Sequence, residues 1–227
     1  VIEEEIIRTC LAMNANGLNT GKAGNVSVRN EVGFLITASG VAYEVMTPSD
    51  IVRMDLDGGY FGATLPSSEW RMHMDIYNAR PEAAAIVHTH APHATAISCL
   101  REDVPAFHYM IGVTGGATLR CAPYASFGTV ALSAAMLEAI EGRNACLLAN
   151  HGMICFGRDL ASALALAVEV ENLCRQYILA RQLGDPIILD DAEMRDILRR
   201  FKTYGKQTSE MDSDEDPAFL PPLRRDN

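Results

Sequence analysis

The stretch Ile86-Val87-His88-Thr89-His90 constrains this chain most: an apolar run ends in two histidines one residue apart. Side chains alternate faces along a β-strand, so a strand here projects His88 and His90 from the same side. Two imidazoles held on one face of a rigid strand can chelate one divalent ion. The plainer alternative is a buried strand that ends in two hydrogen-bonded histidines. A structural zinc site closes four ligands around the ion, whereas a catalytic one keeps a position open for water or substrate. The residues that could complete a set are His151, in Asn150-His151-Gly152, and Glu69, in Ser67-Ser68-Glu69-Trp70.

A chain of 227 residues, 48% of them hydrophobic, is long and apolar enough for one domain with a substantial core. No apolar run is long enough to span a bilayer. Val1 to Glu5 are acidic and lack the basic-then-apolar pattern of a secretion signal, so the cytoplasm is the expected compartment. A formal charge of −10 argues against nucleic acid as the main partner, because phosphate backbones require a basic footprint. A few local donors could still hold a small anion. The cysteines Cys10, Cys99, Cys121, Cys146, Cys155 and Cys174 form no C-x-x-C pair and read mostly as small core residues. Lysine is confined to Lys22, Lys202 and Lys206, which leaves little room for Schiff-base chemistry.

Along the chain, Ile2, Ile6, Cys10 and Met13 fall at helical spacing over residues 2–16, with Gly17 as the stop. A glycine-rich loop over residues 20–24 runs into an alternating strand, a turn over 30–33, and a returning strand over 34–38. A strand over 51–56 precedes the Asp57-Gly58-Gly59 turn. Ser67 or Ser68 is the expected N-cap of a helix through Ala79, with Glu69 in its first turn. Strands are expected over 83–89, 107–110, 119–122, 145–149 and 153–156, and helices over 92–100, 129–140, 161–183 and 192–204. Short strands mixed with helices predict an α/β or α+β sheet layered with helices. Residues 1–206 read as one domain, and 207–227, rich in Ser, Asp, Glu and Pro, as a mobile tail.

Ser67 and Ser68 at a helix start, with free backbone N–H groups, form a ready anion site. A carboxylate beside such a site is costly unless it has work to do. On its own, Glu69 would simply complement the helix dipole. Gly21, Gly24 and Asn25 offer a second anion-friendly surface, to which Lys22 could add charge, and Ser39-Gly40 a third. None of these is a Walker A loop. His73, four residues after Glu69 on the same face, reads as a structural histidine that could support the site, and His93 and His108 as structural histidines.

The strings over residues 21–27, 66–73, 87–90, 108–110, 121–129 and 147–152 together resemble the class II aldolase/adducin family, in order and spacing, and the resemblance extends through Gly205. It implies a single-domain class II aldolase-like α/β fold with a mainly antiparallel sheet. It implies one Zn2+ per subunit on His88, His90 and His151, with Glu69 as fourth ligand and as acid/base when substrate displaces it. It further implies a phosphate held by Asn25, Ser39, Gly40, Ser67 and Ser68, and an aldehyde end lined by Phe127 and Tyr204. Tyr109 would move the proton on the aldehyde oxygen, from a neighbouring subunit of a C4 homotetramer. Lys22 stands where the family pattern has a threonine. The expected reaction is cleavage of a ketose 1-phosphate, such as L-fuculose 1-phosphate or a 5-deoxy- or 5-methylthioribulose 1-phosphate, to dihydroxyacetone phosphate and an aldehyde. Same-fold epimerase, dehydratase and 3-oxo-4-phospho-acid decarboxylase chemistry stand as alternatives, with a non-catalytic adducin-like domain behind them.

Overall fold

The computed structural model describes residues 1–203. Tyr204 and the expected tail over 207–227 lie outside the described residues. The strands are β1 (Asn25–Asn30), β2 (Gly33–Thr37), β3 (Ile51–Met54), β4 (Tyr60–Phe61), β5 (Ala85–Thr89), β6 (Cys121–Ala122), β7 (Ala145–Leu148) and β8 (Gly152–Gly157). They form one sheet in the order β4-β3-β2-β1-β5-β8-β7-β6. Every pairing is antiparallel except β6 with β7.

The helices α1 (Ile2–Ala15), α2 (Trp70–Ala79), α3 (Pro92–Ser98), α4 (Val130–Ala139), α5 (Leu160–Leu183) and α6 (Asp191–Phe201) punctuate the strands. Ile6, Cys10 and Met13 of α1 and Ala163, Ala167, Val170 and Cys174 of α5 pack on one face of the sheet, against Val26, Ala85, Val87, Met153 and Cys155. The opposite face carries Phe34, Ile36, Ile86, Ile154 and Phe156 and is covered by Met72, Ile76 and Tyr77 of α2 and Leu132 and Met136 of α4. Burial on both faces explains why Ala83 to Val87, leading into His88, reads as an unbroken apolar run. This is the expected α/β arrangement, a mainly antiparallel sheet between helical layers.

Register places the site. Asn25 of β1 lies opposite His88 of β5, and His88 lies opposite Ile154 of β8. Residues directly opposite share a face, so Asn25, Ser27, Ile86 and His88 all look toward α2. The β7–β8 connection is Ala149-Asn150-His151, with Asn150 in the left-handed region at φ 55°.

Two expectations need correction. Residues 107–110 are not a strand: Tyr109–Thr114 form a 3-10 turn whose first free amide, that of Met110, donates to His108 Nδ1 at 3.2 Å. The aromatic β-propensity of Phe107-His108-Tyr109 yields to packing, because Gly112 lets the Phe201 ring come within 2.7 Å of where a Cβ would sit. Likewise Glu69 is not in the first turn of α2 but is its N-cap residue, while the Ser67 hydroxyl accepts the Glu69 amide at 3.3 Å.

Candidate active site

The end of β5, the start of α2 and the β7–β8 connection meet in one place. Nitrogens of His88, His90 and His151 and a carboxylate oxygen of Glu69 lie within 4.8 Å of one another. The three imidazoles stand mutually edge-on, with centroids 5.0, 4.9 and 4.9 Å apart. His88 Nε2 and His90 Nε2 are 3.2 Å apart. Two nitrogens bound to one tetrahedral Zn2+ at about 2.05 Å are about 3.3 Å apart, so the spacing suits a shared ion.

Protonation makes the same point. His88 Nδ1 lies 2.8 Å from the Met153 carbonyl, which can only accept, so Nδ1 carries a proton. A neutral His88 therefore presents a bare Nε2 lone pair. Yet that Nε2 is 2.9 Å from Glu69 Oε2, and His151 Nε2 is 2.8 Å from Glu69 Oε1. A bare lone pair on His88 Nε2 facing a carboxylate is repulsive, so the arrangement calls for a positive charge between them. Glu69 Oε1 is moreover buried without a hydrogen bond of proper geometry. A resident cation satisfies both conditions, and the donor set suits zinc or a similar divalent metal.

The electrostatics follow from burial. Where no cation is present, a protonated imidazole takes over its role: burial alone would raise the Glu69 carboxyl, but charge on His88 and the close nitrogens of His151 and His88 outweigh it and hold Glu69 well below the carboxylate range. Burial likewise opposes a charged His88, and the neighbouring Glu69 reverses that and raises it. His90 is pushed down to about 4 by burial and by the two flanking imidazoles, so it is neutral at pH 7 and able to bind a cation.

A cavity of about 300 Å³ opens beside the cluster, walled by Ser68, Glu69, His90, Tyr124, Ala125, Phe127, Asn150 and His151. Phe127 is 69% exposed at its rim. Ser68 also lines a second cleft of about 350 Å³ with Ser39 and Leu65. Gly40 follows Ser39 in an exposed turn at φ 74°, and Lys22 is exposed in the turn before β1. Gly24 has no alternative: at φ 80°, a Cβ there would sit 2.5 Å from the His88 carbonyl. Asn25 is 3% exposed, and its Nδ2 donates to Glu69 Oε2 at 3.0 Å, which ties the glycine loop to the metal cluster.

Tyr109 is elsewhere. It does not wall the cavity but stacks between His108 and Phe201, with centroids 4.8 and 6.4 Å away. The structure thus gathers Asn25, Ser68, Glu69, His88, His90, Phe127 and His151, and leaves Tyr109 apart from them. Tyr124 and Asn150 escaped sequence reasoning. Asn150 carried a usable signal, since asparagine before His-Gly tolerates the left-handed turn observed.

A three-histidine, one-carboxylate cluster at the end of a central strand, opening on a cleft, marks a metal-dependent enzyme. The chain belongs to the class II aldolase and adducin N-terminal domain family, which it matches over residues 4–178, and it is a lyase of that family. It is 52% identical over 189 residues to a 5-methylthioribulose-1-phosphate/5-deoxyribulose-1-phosphate aldolase of Rhodospirillum rubrum, covering 83% of this chain and 86% of the relative. It is 48% identical over 210 residues to an L-fuculose phosphate aldolase of Escherichia coli K12, covering 92% of this chain and 98% of the other. Among solved structures, an L-fuculose 1-phosphate aldolase superimposes with a TM-score of 0.85 at 40% identity, over 88% of this chain and 95% of that one.

Proposed function

We propose that this chain is a Zn2+-dependent aldolase that cleaves a ketose 1-phosphate to dihydroxyacetone phosphate and an aldehyde. The convergence of three imidazole nitrogens and one carboxylate oxygen within 4.8 Å, at the wall of a cleft, carries the reading. The names of the relatives support L-fuculose 1-phosphate and the 5-deoxy- and 5-methylthioribulose 1-phosphates as substrates. Splitting a carbon–carbon bond beside a ketone leaves an electron pair that must be accommodated, and a divalent ion bound here would supply Lewis acidity toward the ketone oxygen.

The chain's own residues do the rest. His88, His90 and His151 would hold the ion, and Glu69, released when substrate takes its place and protonated from solvent, would deliver that proton to the carbon that becomes the end of dihydroxyacetone phosphate. Ser39, Gly40, Ser67, Ser68 and Lys22 hold the phosphate by hydrogen bonds and charge. Asn25 joins them through its second Nδ2 proton, the first being given to Glu69. Phe127 would line the aldehyde end, and Tyr204, outside the described residues, is proposed to join it. Tyr109 takes up the hydroxyl proton as the aldehyde leaves, and its distance from the cleft supports delivery from a neighbouring subunit of a homotetramer. The cytoplasm is the proposed compartment. Among the described residues, no helix is long and apolar enough to cross a membrane. Lys22 does not line the cleft, which favours the metal route over an iminium.

NMR product analysis with a panel of ketose 1-phosphates tests this. Dihydroxyacetone phosphate and a matching aldehyde, lost on chelation and regained with Zn2+, are the expected result. Epimerised, dehydrated or decarboxylated product without dihydroxyacetone phosphate would refute the aldol reading, and no turnover in either metal state would point to an adducin-like domain.

A further inference from the structure

Behind the cluster, between α2 and β1, runs a buried line of polar side chains. Tyr77 Oη lies 2.7 Å from Ser27 Oγ, and Ser27 Oγ lies 2.7 Å from His73 Nδ1. His73 Nε2 lies 2.6 Å from Asn25 Oδ1, and Asn25 Nδ2 lies 3.0 Å from Glu69 Oε2. His73 and Ser27 are wholly buried.

The direction of every bond can be deduced from the carboxylate end. Glu69 Oε2 is an anion and accepts, so Asn25 turns its NH2 toward Glu69 and its carbonyl oxygen toward His73. That oxygen can only accept, so His73 carries its proton on Nε2. Burial keeps the ring neutral, its pKa pushed down to about 3, so Nδ1 has a lone pair and accepts from the Ser27 hydroxyl. Ser27 in turn accepts from Tyr77. All four donors point one way, toward the carboxylate, and such a chain polarises each successive bond. With its proton on Nδ1 instead, His73 would favour the flipped Asn25 amide, which sets Oδ1 against the Glu69 carboxylate.

We propose that His73 is a positioning residue: its Nε2 proton fixes the Asn25 amide, and through that amide it aims the Glu69 carboxylate for metal binding and proton transfer. A side chain that serves only packing needs no donor at Nε2. This rests on the reading of Glu69 as metal ligand and acid/base.

Three full-length proteins separate the possibilities: wild type, His73→Leu, which fills the space without a donor, and His73→Gln, which keeps an N–H at the same reach. Zn2+ affinity is measured by competition with a chromophoric chelator, and kcat and KM with the ketose 1-phosphate that the wild type cleaves best. The Leu variant should bind Zn2+ about 10- to 100-fold more weakly, with kcat reduced and KM little changed, and Gln should recover most of both. Neutron diffraction from wild-type crystals should show deuterium on His73 Nε2. A folded Leu variant equal to wild type in affinity and kcat would overturn the proposal, as would deuterium on Nδ1 alone. If the Leu variant does not fold, the neutron map decides. A wild type that binds Zn2+ yet cleaves no ketose phosphate refutes the proposed function, while the Zn2+ contrast among the variants still judges His73.

Discussion

Met153, an apolar core residue, sets the tautomer of His88 through its carbonyl: by accepting a hydrogen bond from Nδ1–H it leaves the Nε2 lone pair free to meet an ion. No reading of side chains alone could supply that partner, because it belongs to the backbone of β8. The His88 and His90 pairing itself was legible, since period-two alternation is a local rule. The Asn25–Glu69 and Asn25–His73 bonds were not, because they join residues that only the fold brings together. Two outcomes belong to this scale. Glu69→Gln keeps a neutral oxygen near the ion but loses the titratable proton, so kcat should fall by about 100-fold or more while Zn2+ remains bound by elemental analysis. His73, wholly buried, binds its proton only near pH 3, against an ordinary 6.5 when unfolded. The unfolded state therefore takes up the proton first as pH falls, so this contribution is complete above about pH 6.5 and declines below it. Urea denaturation of the metal-free protein should show a stability loss steeper in wild type than in His73→Gln, by about 0.7 kcal/mol per pH unit at pH 6.5 and approaching about 1.4 near pH 5.

Elements set the site by register and by close approach. The strands and helices around the cluster follow from apolar period and from Gly and Pro punctuation, which is why β5, α3, α4 and α5 were expected close to their observed bounds. The errors fell where tertiary contact overrides propensity, at Tyr109–Thr114 and at the start of α2. Gly152 illustrates a constraint between elements: a Cβ there would stand 2.3 Å from the Thr89 carbonyl and 3.0 Å from the His90 ring. Gly152→Ala should force β8 from β5 and tilt His90, costing about 1–3 kcal/mol of stability. Thermal melts should show the loss, and chelator competition a weaker hold on Zn2+.

At the scale of the whole molecule, Tyr109 remains apart from the cavity that its proposed role serves. If neighbouring subunits complete each other's sites, two defective chains can repair one another. Glu69→Gln and Tyr109→Phe proteins, each slow alone, should recover activity when mixed, unfolded and reassembled together. Random assembly leaves about one site in four with both intact groups, so about a quarter of wild-type rate is expected. Activity equal to the mean of the two parents would place Tyr109 in its own subunit's site or outside catalysis.

The two ends of the cleft are built from different materials. His88 emerges from the middle of an eight-stranded sheet, wholly buried, whereas Tyr124 and Phe127 sit exposed on the connection between β6 and α4. Exchanging a rim aromatic disturbs little packing, while moving the strand that carries His88 disturbs both layers. On the proposed reading, such a scaffold would let the leaving fragment drift through evolution while the bond-breaking apparatus stays put.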